Sequence, residues 1–272
     1  MARRVGVIGA AALLLLALMT VTAPVDAIVG GRDTAPGEGT FTVALLDADG
    51  NQFCGGSVIA PSWVLTAGHC AQAVLDDAVP GPLSVAIGRA SLSDTSAGKV
   101  HAVSQVLVHP GYDPTSLAND AALLRLATPT TTAPIQLAGP ADDGLEADGT
   151  PARVYGWGLI LPQLPLLPGL PPQADHLQVV DVPIVGDAEC QAQYLPLLEA
   201  LGQPQFSPGL QVCAAALLKD SCYGDSGGPL VVGSVQVGIV STGVGCAIPT
   251  HAGLYAEVNA PSIGNWINAT AG

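Results

Sequence analysis

Apolar residues in this chain come in short runs broken by turn formers, and none of the runs repeats with the 3.6-residue period of a helix. Residues 41–46 read Phe-Thr-Val-Ala-Leu-Leu, Asp47 to Asn51 supply a tight turn, and a second run starts at Phe53, which predicts a β-hairpin. Further strands are predicted at 57–59, 63–66, 83–87, 100–108 and 121–126. The texture changes at Thr128, where threonine and proline dominate, and a glycine- and aspartate-rich stretch follows as far as Gly144. Strands resume at 152–155, 177–182, 211–214, 229–232, 235–241 and 254–258. Short strands in two halves predict an all-β chain of paired antiparallel barrels. The proline-rich, uncharged stretch 159–172 is expected to be an exposed loop. A helix is expected only near the end, at 261–267, capped by Asn259 or Ser262, with Ile263, Trp266 and Ile267 on one face.

Composition sharpens this picture. Only 11% of the 272 residues are charged, while glycine and proline number 33 and 23, which favours turns and short strands over a helical bundle or coiled coil. The formal net charge is −14 with eight Lys and Arg in all, so no basic stripe is available to neutralise phosphates and nucleic-acid binding is excluded. Met1-Ala2-Arg3-Arg4 followed by an apolar run at 5–19 matches a secretory signal. That run is short of the ~20 residues needed to span a bilayer, which argues against a membrane anchor. Small residues before a cut occur at Val21-Thr22-Ala23 and Val25-Asp26-Ala27, and Pro24 makes the first a poor substrate. Cleavage after Ala27 is therefore expected, leaving Ile28-Val29-Gly30-Gly31 as the terminus of a secreted, extracellular chain. The expected organisation is a signal peptide at 1–27, a first barrel at 28–130, a connector at 131–149, a second barrel at 150–258 and a C-terminal helix and tail at 259–272.

Cys54, Cys70, Cys190, Cys213, Cys222 and Cys246 all fall in the exported part, an even set that reads as three disulfides with 15 possible pairings. No pair is spaced Cys-x-x-Cys and no histidine has a partner at ligand spacing, so neither a metal nor another cofactor is expected.

Candidate chemistry concentrates in Asp220-Ser221-Cys222-Tyr223-Gly224-Asp225-Ser226-Gly227-Gly228-Pro229. Its glycines let the backbone bend and bring N–H groups close to a reacting atom beside the Ser226 hydroxyl. A serine hydroxyl needs a base, and the base needs an orienting group. Thr66-Ala67-Gly68-His69-Cys70 offers the base, and Asn119-Asp120 before an apolar strand offers the carboxylate. Each fragment alone is compatible with an ordinary turn, but together they are hard to obtain by chance.

These fragments, with Cys54-Gly55-Gly56-Ser57 and Gly156-Trp157-Gly158, stand in the order of a trypsin-like serine protease of the chymotrypsin family, which the chain resembles from residue 28 to about 267. The resemblance implies two six-stranded antiparallel barrels, a C-terminal helix and a site in the cleft between the barrels. It implies that Ser226 attacks the scissile carbonyl, His69 carries the proton, Asp120 orients His69, and the N–H groups of Gly224 and Ser226 hold the oxyanion. Asp220, with Ser221 beside it, corresponds to the base of the primary pocket and implies cleavage after Arg or Lys. Gly243 and Gly253 correspond to the pocket walls, and residues 241–243, beginning at Ser241, to the strand that pairs with substrate. Elastase-like cleavage after small residues and a non-catalytic binding relative are the alternatives. The same resemblance pairs Cys54 with Cys70, Cys190 with Cys213 and Cys222 with Cys246, and sets a free Ile28 ammonium beside Asp225. It further implies protein or peptide substrates, control by proteinaceous inhibitors and a monomer. Two departures stand out. Thr242 replaces the tryptophan usual after the serine of the pairing strand, and Ala27 precedes Ile28 where relatives carry Arg or Lys.

Overall fold

The computed structural model describes residues 28–159, 173–201 and 206–272. In chain order its elements are β1 (Arg32–Asp33), β2 (Thr42–Leu46), β3 (Gln52–Ala60), β4 (Trp63–Thr66), α1 (Gly68–Leu75), β5 (Ser84–Ile87), β6 (Lys99–Val108), β7 (Ala122–Leu126) and β8 (Gln136–Leu137). Then come β9 (Pro151–Gly156), β10 (Gln178–Val185), α2 (Asp187–Leu201), β11 (Gln211–Ala214), β12 (Pro229–Val232), β13 (Val235–Thr242), β14 (Gly253–Glu257) and α3 (Pro261–Ala271). Antiparallel pairing closes β2-β3-β4-β7-β6-β5 into one six-stranded barrel. A second ring runs β9-β10-β11-β14-β13-β12 and back to β9, with β1 added along β10 and β8 lying parallel to β13. This is the two-barrel, all-β architecture expected from the sequence.

The predicted hairpin forms between β2 and β3, where the Asp47 carboxylate accepts from the N–H groups of Asp49 and Asn51 at 2.9 and 2.8 Å. Every residue of β2 is buried, because its two faces serve two cores. Val43 and Leu45 point into the first barrel with Val58, Val64, Val85 and Leu123. Ala44 and Leu46, one residue out of phase as a strand's alternation requires, pack with Tyr155, Trp157, Val179 and Val231 of the second barrel. The seam between the barrels is thus a packed apolar layer.

The two ends of the described segment pack on opposite barrels. Ile28 is fully buried in the core of the second barrel. In the other direction, α3 inserts Ile263 and Ile267 into the first barrel's core cluster, and His109 stacks edge-on against Trp266. That helix has Ala260 at its N-cap position, with no side-chain cap and with Pro261 in its first turn, so neither Asn259 nor Ser262 plays the expected capping role.

Two helices were not expected from the sequence. α1 has no capping side chain and buries only Gly68, Cys70 and Ala71, so it carries neither the start signal nor the broad apolar stripe of a surface helix. α2 contains Pro196, which argues against a helix, yet Asp187 and Glu189 in its first turn suit the helix dipole. Cys190 and Tyr194, one turn apart, anchor it under the second barrel. The proline-rich stretch 160–172 lies outside the described residues.

Candidate active site

His69 sits in the first turn of α1, immediately after β4, and is held at two points by Asp120. Its backbone N–H donates to Asp120 Oδ1 and its Nδ1 to Asp120 Oδ2, both at 2.8 Å. Asp120 is fully buried two residues before β7. The Ser241 hydroxyl, on β13 of the other barrel, donates to the same Oδ2 at 2.6 Å. Three hydrogen bonds therefore fix the carboxylate that fixes the imidazole. Burial opposes a charged ring at His69, but the Asp120 charge and its hydrogen bond outweigh it and raise the pKa above the ordinary 6.5.

Ser226 faces this pair from the loop between β11 and β12. Its carbonyl accepts from Gly55 N, on β3 of the first barrel, at 2.7 Å. Cys70 Sγ lies 3.6 Å from that carbonyl and 3.5 Å from His69 Nε2, so the disulfide sulfur touches both partners. The bend depends on Gly227, with a φ of +83°, where a Cβ would lie 2.2 Å from Thr66 Oγ1 and 2.5 Å from Gly55 O. Gly224 has a φ of +97°. Among the described residues the N–H groups of Gly224 and Ser226 donate to no protein acceptor, whereas Asp225, Gly227 and Gly228 all do.

A cavity of about 180 Å³ opens beside Ser226 and is lined by Asp220, Ser221, Tyr223, Ser241, Gly243 and Gly253 among others. Asp220 is 4% exposed, with Oδ2 accepting from Ala247 N at 3.0 Å. A Cβ at Gly253 would stand 2.9 Å from Asp220 Oδ1, and one at Gly243 would stand 3.9 Å from the Gly253 Cα, so the two glycines keep the slot open. Burial pushes the Asp220 carboxyl up to about 7, against the pull of its backbone hydrogen bonds. A cation entering the slot restores its charged form.

Asp225 is fully buried and turned away from this cavity, accepting from Gly158 N and Cys222 N at 2.8 Å each. Gly156 and Gly158 cradle it, since a Cβ there would meet its oxygens at 2.1 and 2.3 Å. No cation pairs with it among the described residues, and burial lifts its pKa to about 7. The neighbouring segment is docked, because Val29 bridges to Asp220 and accepts from its N–H at 3.2 Å.

Three disulfides brace these parts. Cys54–Cys70 ties β3 to α1, Cys190–Cys213 ties α2 to β11, and Cys222–Cys246 closes the rim of the cavity. Cys54, His69 and Cys70 bring three donor-type atoms together, but the two sulfurs are bonded to each other and offer no thiolate to a metal.

The model of the trypsin family, described as "Trypsin", matches residues 28–267. The chain is 39% identical to a trypsin of Saccharopolyspora erythraea over 86% of its own length and 94% of that protein. It is 37% identical to a trypsin of Sarcophaga bullata, covering 90% of this chain and 89% of that one. It is also 35% identical to trypsin 5G1 of Aedes aegypti over 90% and 85% of the two lengths. The chain belongs to the trypsin family. It is a serine endopeptidase, a hydrolase.

Within this trypsin-family site several contributors had no role assigned from the sequence. Gly55 holds the Ser226 carbonyl, Thr66 supports Gly55 by donating to its carbonyl at 2.7 Å, and the Gln52 side chain reaches the Gly224 carbonyl. Gly156 and Gly158 were visible only as part of a recurring pattern. Their role as a floor for Asp225 requires a partner some 67 residues away in the chain.

Proposed function

We propose that this endopeptidase cuts peptide bonds after Arg or Lys by acyl transfer through Ser226. The observation that carries the reading is Asp220, a buried carboxylate at the foot of a glycine-walled slot that opens at Ser226. An Arg or Lys side chain in that slot pairs with Asp220, with Ser221 beside it, and a neutral side chain leaves the carboxylate buried without a partner.

In the mechanism, His69 Nε2 takes the Ser226 proton as Oγ attacks the scissile carbonyl, and returns it to the leaving amine. Asp120 holds Nδ1–H toward itself and stabilises the imidazolium, supported by its 2.8 Å contact with the ring. The unengaged N–H groups of Gly224 and Ser226 receive the oxyanion, and each such donor contributes about 2.7–4 kcal/mol in comparable sites. Water then repeats the sequence on the acyl-enzyme. Residues 241–243 offer a strand edge to the substrate backbone, and Thr242 leaves the next subsite without an aromatic wall.

The same reading makes Ile28 the working N-terminus. Among the described residues no cation pairs with the buried Asp225 carboxylate, and an ammonium on the docked Ile28 segment would supply one. Because Ala27 precedes it, this terminus arises by signal cleavage or trimming and not by a tryptic cut. Residues 1–27 then act as an export signal and the mature protease is extracellular, with three disulfides that suit an oxidising compartment. Its working organisation is a monomer of two barrels, 28–130 and 150–258, with connector 131–149 and tail 259–272, open to protein inhibitors that mimic substrate.

A fluorophosphonate probe tests the chemistry. The secreted chain is expected to be labelled at Ser226 with loss of amidase activity, and Ser226→Ala to be unlabelled. Labelling elsewhere, or full activity in Ser226→Ala, overturns the reading.

A further inference from the structure

The two peptide planes on either side of Gly224 are pinned from different parts of the molecule. Tyr223 O accepts from Leu159 N at 2.8 Å, and Gly224 O accepts from Gln52 Nε2 at 2.7 Å. A trans peptide is planar, so fixing the Tyr223 carbonyl turns the Gly224 N–H the opposite way. Fixing the Gly224 carbonyl sets the next plane and, with it, the +97° φ that glycine alone tolerates easily. One hydrogen bond on Tyr223 O still lets the Tyr223–Gly224 plane, and the Gly224 N–H within it, pivot about that contact, and the second clamp limits the pivot by holding the far side of the Gly224 Cα.

Gln52 is suited to that task. It is 8% exposed, and both Nε2 hydrogens are used, one on Gly224 O and one on Cys54 O at 2.9 Å. Its Oε1 accepts from Gln173 Nε2 at 3.1 Å, which fixes the end of the amide that faces Gly224. The same Gln173 Nε2 lies 2.7 Å from where a Gly224 Cβ would stand. Gln173 is itself bridged to Leu159, so both clamps meet at one junction.

We propose that Gln52 is a positioning residue for the oxyanion site. Its amide, oriented by Gln173, holds the Gly224 carbonyl so that the Gly224 N–H stays aimed at the reacting oxygen. The proposal rests on hydrolysis at Ser226 as described above. A purely structural Gln52 ties β3 to the second barrel and affects stability, but does not distinguish transition state from ground state.

Gln52→Leu keeps the bulk and removes the donors. With a peptide amide that the native chain cleaves, the expected result is a fall in kcat of about 10- to 100-fold with KM within about twofold, less than the loss of an oxyanion donor itself. Affinity for the matching peptide aldehyde, whose adduct carries the oxyanion, falls by a similar factor. Affinity for the peptide alcohol, which fills the same pocket without forming an oxyanion, stays unchanged. Gln173→Ala, at an exposed position, produces a smaller loss of the same pattern and covers the case in which Gln52→Leu does not fold. Retained kcat in a folded Gln52→Leu or in Gln173→Ala, or equal weakening of aldehyde and alcohol, overturns the proposal. A native chain without amidase activity overturns instead the underlying reading of Ser226.

Discussion

His69 shows how one residue's environment becomes a measurable rate. Burial disfavours its charged form, yet Asp120 contributes both a charge and a hydrogen bond, and the balance raises the pKa above 6.5. In the proposed mechanism only the neutral ring accepts the Ser226 proton, so activity is expected to be lost as pH falls through this raised pKa. The acid limb of kcat/KM is therefore expected to have its midpoint above 6.5, and a midpoint below 6.5 contradicts the Asp120 contact. Residues whose chemistry is carried by their own functional group, such as Ser226, His69 and Asp220, could be singled out in the sequence, and the structure brings them to one cleft. Gln52 could not, and Gly55 stood only inside a landmark fragment, because an amide or a glycine does not disclose its role until its partner, 172 residues away for Gln52 and Gly224, has been folded against it.

At the level of elements, alternation located the strands well, and the buried double face of β2 explains why a strand at the seam reads as a continuous apolar run. The helices were harder. α1 carries His69 but is only eight residues long and follows Ala67 without a cap, and α2 tolerates Pro196 because the Cys190–Cys213 bridge and the Tyr194 side chain secure it. Tertiary contacts here override local propensity. α3 was legible by its spacing of Ile263, Trp266 and Ile267, and its place on the opposite barrel was not. Ile267 is 4% exposed in the first barrel's core cluster. Ile267→Ala is expected to cost about 2–5 kcal/mol of unfolding free energy in a denaturant titration. A loss below about 0.5 kcal/mol, the level of an exposed site, contradicts that docking.

For the whole molecule, the site exists only because the two barrels meet. His69 and Asp120 come from the first barrel and Ser226, Ser241 and Asp220 from the second, and the hydrogen bonds from Gly55 to Ser226 and from Ser241 to Asp120 cross the seam. The slot proposed to select substrate belongs to the second barrel alone, so on this proposal selectivity is separable from chemistry. The most direct test compares kcat/KM for peptide amides ending in Arg, Lys, Phe and Ala, in the native chain and in Asp220→Ser. Arg and Lys are expected to lead by about 10⁴-fold, the scale set by a polar partner left unpaired in a buried site, and that lead is expected to vanish in Asp220→Ser. A native preference for Phe or Ala, or an Arg and Lys preference that survives Asp220→Ser, contradicts the account.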